Sequence, residues 1–222
     1  MNTSHVKEEK VQLKTGYTTG SSATAASKAA LLSIINQKKI EKIDILLPKR
    51  SYIQIPIHSC KFEIDGANCS VIKNGGDDPD VTHGAEIIVE LSFTEKINEI
   101  EIDGGEGVGI VTKPGLGLEI NKPAINPVPK KMIIENLREI GKEILLEKGI
   151  KLVISVPKGK ELGPKTDNPR LGIINGISIL GTSGIVIPFS TAAYAASIRQ
   201  NVDVAIAMGN DTVVLTTGGR SE

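Results

Sequence analysis

The hydrophobic period of the sequence changes along the chain, and this change limits the fold more than any other feature does. Apolar residues recur at helical spacing in residues 21–36, and they alternate with polar residues, as in half-buried strands, through residues 43–102. Further along, strand-like and helical runs alternate, which favours parallel strands. We therefore predict an α+β protein: an N-terminal domain over residues 1–148 with a mixed or antiparallel sheet and helices, and a smaller α/β domain with parallel strands from residue 149.

Three boundaries support this division. Thr18, Thr19 or Ser21 is expected to cap the first helix, and Pro129 opens a helix that we expect to run to about Lys148. Residues 104–129, between the strand region and the second helix, are rich in glycine and proline. A loop of this length inside a compact protein is usually functional or disordered.

The second unit, residues 149–222, is expected to be an incomplete domain. Leu152 to Val156 predicts a buried strand, and Ser190 predicts the cap of a helix that runs to about Gln200, with residues 202–208 as an alternative continuation. Thr212 to Leu215 predicts a last strand. The sequence stops shortly after that strand, where a helix would normally cover a parallel sheet.

Charge and composition exclude several function classes. The 222 residues contain 26 Lys and Arg against 26 Asp and Glu, so net charge gives no argument for binding nucleic acid or a membrane surface. No apolar run approaches the ~20 residues that span a bilayer, and Met1 to Lys10 lacks the apolar segment of a signal peptide. Cys60 and Cys69 lie in strand-like runs without CxxC spacing, so we expect reduced core thiols in a cytoplasmic protein.

A glycine loop follows the strand-like run at Ile100 to Ile102. Gly105, Gly107 and Gly109 after Asp103 resemble the glycine loop of common S-adenosylmethionine (SAM) methyltransferases. In that fold a helix follows the loop, whereas the proline and glycines of residues 114–117 prevent one here. The alternatives are a SAM site of the common fold and, as the favoured interpretation, a hairpin or ligand loop of another kind.

Two further loops come after predicted strands. Gly181, Thr182, Ser183 and Gly184 form one, and Thr217 and Gly218 belong to the other. Ligands bind at the carboxyl ends of parallel strands, so these loops could line one pocket, although ordinary tight turns explain them equally well. Residues 159–166 do not have the spacing of a phosphate-binding loop, because a proline separates the second glycine from the lysine.

An acidic loop lies between two predicted strands. It contains Asp77, Asp78, Asp80 and His83, which could bind a metal ion or move protons. A solvated acidic turn is the simpler interpretation of the same residue types.

Several segments together, in order and over nearly the whole chain, resemble the CbiD family. They are LKTGYTTG at 13–20 with AASKAA at 25–30, VIKNGGDDPDVTHG at 71–84, GGEGVGIVTKPGLG at 104–117, PAINPVP at 123–129, KTDNPRLG at 165–172 and ISILGTSGIVIP at 177–188. The sequence departs from the family at Ser21, where members usually have cysteine, and family chains continue well beyond Glu222.

The resemblance implies a SAM-dependent C-methyltransferase that converts cobalt-precorrin-5B to cobalt-precorrin-6A in the anaerobic cobalamin pathway. The cobalt belongs to the anionic tetrapyrrole substrate, so no protein metal site is expected. SAM is expected at the glycine-rich loops described above. The resemblance further implies that the acetate and propionate groups of the substrate pair with cations inside the matching segments, which are Lys73, Lys113, Lys165 and Arg170.

The same resemblance gives the acidic loop a role, since the ring carbon becomes nucleophilic by losing a proton elsewhere. We expect Asp77, Asp78, Asp80 or His83 to handle that proton. Two alternatives stay open: a non-catalytic tetrapyrrole-binding module and an assembly subunit of the pathway. The sequence leaves homo-oligomer formation open as well.

Overall fold

The computed structural model describes residues 13–216, and a five-stranded sheet lies at the centre of this part of the chain. Its strands are β4 (Ser59–Phe62), β5 (Gly66–Ile72), β6 (Glu86–Thr94), β7 (Ile100–Gly104) and β9 (Gly149–Ser155). The spatial order is β4-β5-β6-β9-β7. Neighbours are antiparallel except β7 and β9, which are parallel.

The alternation of the sequence determines which face of the sheet is buried. Val89 lies opposite Ile154 and Leu91 opposite Leu152, and all four side chains are buried. Helix α1 (Thr19–Asn36) packs on this face against β5 and β6, and α2 (Pro127–Ile140) packs against α1. One hydrophobic core therefore joins the sheet to both helices.

Helix α1 is buried on nearly every side because its residues are small. Its alanines have no exposed surface, and the hydroxyl groups of Ser22, Thr24 and Ser27 donate to carbonyls four residues earlier in the helix. Thr18 caps the helix by accepting a hydrogen bond from the Ser21 N–H at 3.1 Å, which confirms the predicted cap.

Shorter elements surround this layer. A hairpin of β2 (Lys42–Leu46) and β3 (Tyr52–Pro56) packs beside α1, and α3 is a single turn at Lys142–Leu145. The remaining elements are β1 (Gly16–Tyr17) paired with β11 (Ile185–Val186), β8 (Ile110–Val111) paired with β10 (Ile173–Ile174), α4 (Gly159–Leu162) and α5 (Thr191–Ala207).

The structure confirms the α+β class and corrects three details of the prediction. Strand β9, which was assigned to a separate parallel unit, lies between β6 and β7 because its buried residues face the same core. The helix from residue 127 ends at Gly141 rather than near Lys148, and residues 212–216 have no regular secondary structure. Ser190 caps α5 as predicted. A second domain in the rest of the chain stays a prediction.

Among residues 13–216, no helix has both the length and the apolar character needed to cross a bilayer.

Candidate functional site

Asp80 is the best-anchored carboxylate of the acidic loop. One of its oxygens accepts a hydrogen bond from Lys73 Nζ at 2.5 Å, and the other accepts from the Thr82 N–H and hydroxyl at 2.7 and 2.6 Å. The Lys73 side chain is only 2% exposed. Burial raises the pKa of the Asp80 carboxyl, but the Lys73 ammonium and the hydrogen bonds from Lys73 and Thr82 outweigh this effect, so that the pKa lies below its usual value. Asp80 is therefore an ionised acceptor at neutral pH.

Asp77 and Asp78 connect distant parts of the chain. The Lys14 N–H donates to Asp77 Oδ2 at 2.7 Å, and the Asp77 N–H donates to the Lys14 carbonyl at 3.0 Å. The Phe189 N–H donates to Asp78 Oδ1 at 2.9 Å. The acidic loop thus holds the segment before α1 and the segment before α5 in fixed positions.

His83 lies at the end of the same loop with its side chain exposed. Its Nδ1 accepts a hydrogen bond from the Gly75 N–H at 3.1 Å, so the neutral ring carries its proton on Nε2. In this arrangement His83 can donate a hydrogen bond from Nε2 but offers no free lone pair as a base. Within residues 13–216, His, Cys, Asp and Glu side chains do not gather into a group that could hold a metal ion.

An open cleft of about 610 Å³ separates the acidic loop from residues 164–170. It brings together three side chains that the sequence analysis singled out, since Asp80 lines one wall and Lys165 and Arg170 line the other. Lys113 lies beside this wall, where its Nζ donates to the Arg170 carbonyl at 3.3 Å. Lys73 is buried in its ion pair with Asp80. Of the cations named here, Lys165 and Arg170 are therefore the ones open to the cleft.

The wall that carries Lys165 and Arg170 is fixed by Asn168, a residue that the sequence analysis did not single out. Asn168 is 5% exposed; its Nδ2 donates to the Gly176 carbonyl at 2.9 Å, and its Oδ1 accepts from Ser178 Oγ at 3.0 Å. The sequence signal was an Asn-Pro pair between two cations, which marks a turn and does not show that the amide is buried.

The loop of Gly181 to Gly184 packs on the start of α1. The Ser21 hydroxyl donates to the Gly184 carbonyl at 2.7 Å, and the Gly20 N–H donates to the Leu180 carbonyl at 2.9 Å. Thr182 is exposed and Ser183 is half-buried, whereas Gly184 is buried. Ser21 therefore has a structural partner that a hydroxyl satisfies, at the position where the resembled family usually has cysteine.

The glycine loop is packed against the chain's own backbone. Gly107 has a φ of 71° and is buried, and a Cβ there would overlap the Val156 carbonyl. Gly109 is buried as well, where a Cβ would overlap the Ile173 side chain, and Gly105 is partly exposed beside β9. Close packing within the chain therefore accounts for the glycines at 107 and 109. Thr217 and Gly218 lie outside the described residues.

Hydrogen bonds connect the separate motifs to one another. The Thr19 hydroxyl donates to the Ser178 carbonyl at 3.1 Å, which joins the start of α1 to the Asn168 turn. The Tyr17 N–H donates to the Asn74 carbonyl at 2.8 Å, which joins the same region to the acidic loop. The described residues thus form an α+β protein with an open cleft lined by charged side chains of both signs, which are Lys165 and Arg170 with Asp80 and Asp167.

The comparisons with known proteins agree with this class. The chain belongs to the CbiD family, whose model matches residues 6–188. A relative from Priestia megaterium named cobalt-precorrin-5B C(1)-methyltransferase is 52% identical over 217 residues, which is 98% of this chain and 59% of the relative. One of the same name from Geobacillus kaustophilus (strain HTA426) is 54% identical over 97% of this chain and 58% of its own length.

A solved structure is similar as well. The crystal structure of a cobalamin biosynthesis protein (cbiD) from Archaeoglobus fulgidus has a TM-score of 0.61 and 32% sequence identity, and the match covers 85% of this chain and 59% of that chain. This chain thus spans about three fifths of the length of the relatives that it matches.

Proposed function

We propose that this chain provides the tetrapyrrole-binding part of a C-methyltransferase that adds a methyl group to C1 of cobalt-precorrin-5B and gives cobalt-precorrin-6A. The observation that carries the proposal is the 52% identity, over 98% of the chain, to a relative with that name. The cleft supports it, since segments that are distant in sequence converge on one open site with exposed cations.

The substrate is proposed to bind through its carboxylate groups. Arg170 can form two parallel hydrogen bonds with a carboxylate, and Lys165 offers a second positive charge on the same wall of the cleft. Lys113 supports this wall at the Arg170 carbonyl. Lys73 keeps Asp80 ionised and oriented, and its burial removes it from direct contact with a ligand.

The methyl donor is proposed to be SAM, which supplies a sulfonium methyl group for in-line attack by a ring carbon. The buried Gly107, Gly109 and Gly184 do not fit a direct contact with such a donor. The predicted contacts that are at least partly exposed are Gly105, Gly181, Thr182 and Ser183. Among residues 13–216, direct contacts with SAM are therefore proposed for these four residues, and those at Thr217 and Gly218 stay predictions.

Asp80 is the member of the acidic loop that lines the cleft, so it is the one that meets a bound ligand. Its lowered pKa makes it a weak base, and we assign it to orienting a proton-bearing group of the substrate. Asp77 and Asp78 serve to hold the loop in place, and His83 can donate a hydrogen bond to the substrate from Nε2.

Titration with cobyrinic acid, a cobalt corrinoid with free carboxylates on its rim, tests the substrate assignment through its visible absorption. We expect micromolar binding, and about a tenfold loss of affinity for each of Arg170→Ala and Lys165→Ala. Lys42→Ala removes an exposed cation from β2, outside the cleft, and is the matched control. Equal affinity in all variants contradicts the assignment.

Calorimetric titration with SAM tests the donor assignment separately. Heat of binding that is lost in Ser183→Trp, but retained in the Lys42→Ala control, supports the loop at 181–183. Absence of any binding by the chain contradicts the assignment of those residues, and leaves the corrinoid result unaffected.

A further inference from the structure

The first half of α5 projects from the body of the protein. Residues 191–196 are all exposed, and Arg199 is the first charged residue of the helix. The exposed side chains are small and apolar apart from Thr191 and the aromatic ring of Tyr194, which is 68% exposed. A short alanine-rich helix is only marginally stable in water, so this half of α5 lacks the packing that normally stabilises a helix.

The helix packs against the body of the protein near its C-terminal end, and the hydrogen bond from the Phe189 N–H to Asp78 holds the residue before its N-cap. Val204 is 4% exposed and packs with Leu116 and Leu118 in a small second core. Gly115, with a φ of 106°, brings the loop backbone against Asp203 and Val204. This anchor fixes the direction of α5 and leaves its first two turns free on all sides.

Large apolar side chains are exposed before the helix, in its last turn and after it. They are Ile187 (59%), Phe189 (68%), Ile206 (63%), Met208 (51%), Val214 (80%) and Leu215 (71%). We define residues 187–215 as the α5 surface. A contiguous stretch with this many exposed apolar side chains is typical of a protein interface.

The relatives indicate what covers the α5 surface. Each matches this chain nearly end to end, and the match occupies 59% of the Priestia relative, so about two fifths of that relative, or 41%, lies outside it. The alanines of α5 permit close helix approach, and the absence of charge from Thr191 to Ile198 suits an apolar protein layer rather than an anionic ligand.

We infer that the α5 surface is the docking face for the polypeptide that corresponds to this unmatched part of the relatives. This interface is separate from the cleft at Asp80 and Arg170 and does not depend on the proposed function.

Amide hydrogen exchange of a joined chain tests the inference. The unmatched part of the 52%-identical relative is fused to this chain, and the exchange of residues 191–198 is compared with that of the chain alone. We expect exchange at least about tenfold slower in the fusion, with no change in α2, whose protection reports that the N-terminal part is folded. Unchanged exchange at α5 in a fusion with a protected α2 overturns the inference.

Arginine substitutions give a second readout. Ala196→Arg should leave the thermal midpoint of the chain alone unchanged, because the site is exposed, and should abolish the slowing in the fusion. Ile64→Arg, at an 80% exposed position in the β4–β5 turn, should preserve the slowing. The inference is also overturned if Ala196→Arg destabilises the chain alone. Protection of the α5 amides in the chain alone, either with rising protein concentration or on adding lipid vesicles, would overturn it as well.

Discussion

The Asp78 carboxylate accepts a hydrogen bond from the backbone N–H of Phe189 at 2.9 Å, and Phe189 has a φ of 54°. A left-handed backbone costs a residue with a bulky side chain about 1–2 kcal/mol. The ring of Phe189 is 68% exposed, so its packing within this chain does not offset that cost. Asp78 therefore helps to hold Phe189 in this conformation, and the acidic loop sets the position at which α5 begins.

Asp78→Ala is expected to lower the free energy of unfolding by about 1 kcal/mol, because the loss removes a charge-assisted hydrogen bond at a partly exposed site. Asp78→Asn keeps an acceptor and should lie closer to the wild type. Urea unfolding monitored by circular dichroism gives both values. Phe189→Gly removes the backbone strain but keeps the N–H donor, so the effect of Asp78→Ala should persist in that background; a variant pair without any effect would show that this hydrogen bond contributes no stability.

The sequence was sufficient to predict the parts of the fold that depend on local patterns. Alternating burial in β6 and the caps Thr18 and Ser190 follow from side-chain chemistry within a few residues. The position of β9 could not be predicted in this way, because a period of two shows that one face is buried and does not show which strand is the neighbour.

The candidate site was predictable to a similar extent. Lys165 and Arg170 are predicted to pair with an anionic ligand and Asp80 to handle a proton, and the structure places all three around one cleft. The glycines at 107 and 109 show a limit of the sequence, since a glycine required by a ligand and one required by close packing within the chain look the same in sequence.

Gly107 and Gly117 offer a direct test of this point, since they have similar positive φ angles of 71° and 66° and different surroundings. A Cβ at Gly107 would overlap the Val156 carbonyl, whereas nothing lies within 4 Å of a Cβ at Gly117. We expect Gly107→Ala to destabilise the protein by roughly 3 kcal/mol or more, from overpacking in addition to backbone strain, and Gly117→Ala by about 1 kcal/mol. Thermal and urea unfolding of both variants check the difference, and equal losses would contradict it.

The buried ammonium of Lys28 predicts an asymmetry between two substitutions. Its Nζ donates to Glu139 Oε2 at 2.6 Å and to the Asp44 carbonyl at 2.8 Å, and the Lys28 side chain is 7% exposed against 38% for Glu139. Glu139→Ala leaves the buried Lys28 ammonium with one good acceptor and should lower the free energy of unfolding by about 2 kcal/mol. Lys28→Met leaves the Glu139 carboxylate, which water and Tyr52 still reach, so it should lower the free energy of unfolding by less than about 1 kcal/mol.

Urea unfolding at pH 7 distinguishes the two variants, and Lys28→Met/Glu139→Gln completes the comparison because it removes both charges. A double variant that is more stable than Glu139→Ala supports the view that the cost comes from the unpaired ammonium. Larger damage from Lys28→Met than from Glu139→Ala would contradict it.

The ion pair between Lys73 and Asp80 predicts a pH dependence with a definite sign. The pKa of Asp80 is lowered in the folded protein, so the pair contributes stability above the ordinary aspartate pKa of about 3.9, and that contribution is lost as the pH falls through the folded value. Asp80→Asn should therefore lower the free energy of unfolding by about 2–3 kcal/mol at pH 7, because Lys73 stays buried without its counter-charge. The difference in unfolding free energy from the wild type should be constant down to about pH 4 and should then become smaller. Asp65→Asn, at an exposed position in the β4–β5 turn, is the control for general effects of acid. Measuring the unfolding free energies from pH 7 to pH 3 tests this prediction. A difference that persists unchanged at pH 3 would mean that the variant is destabilised by packing around the amide and not by loss of the charge.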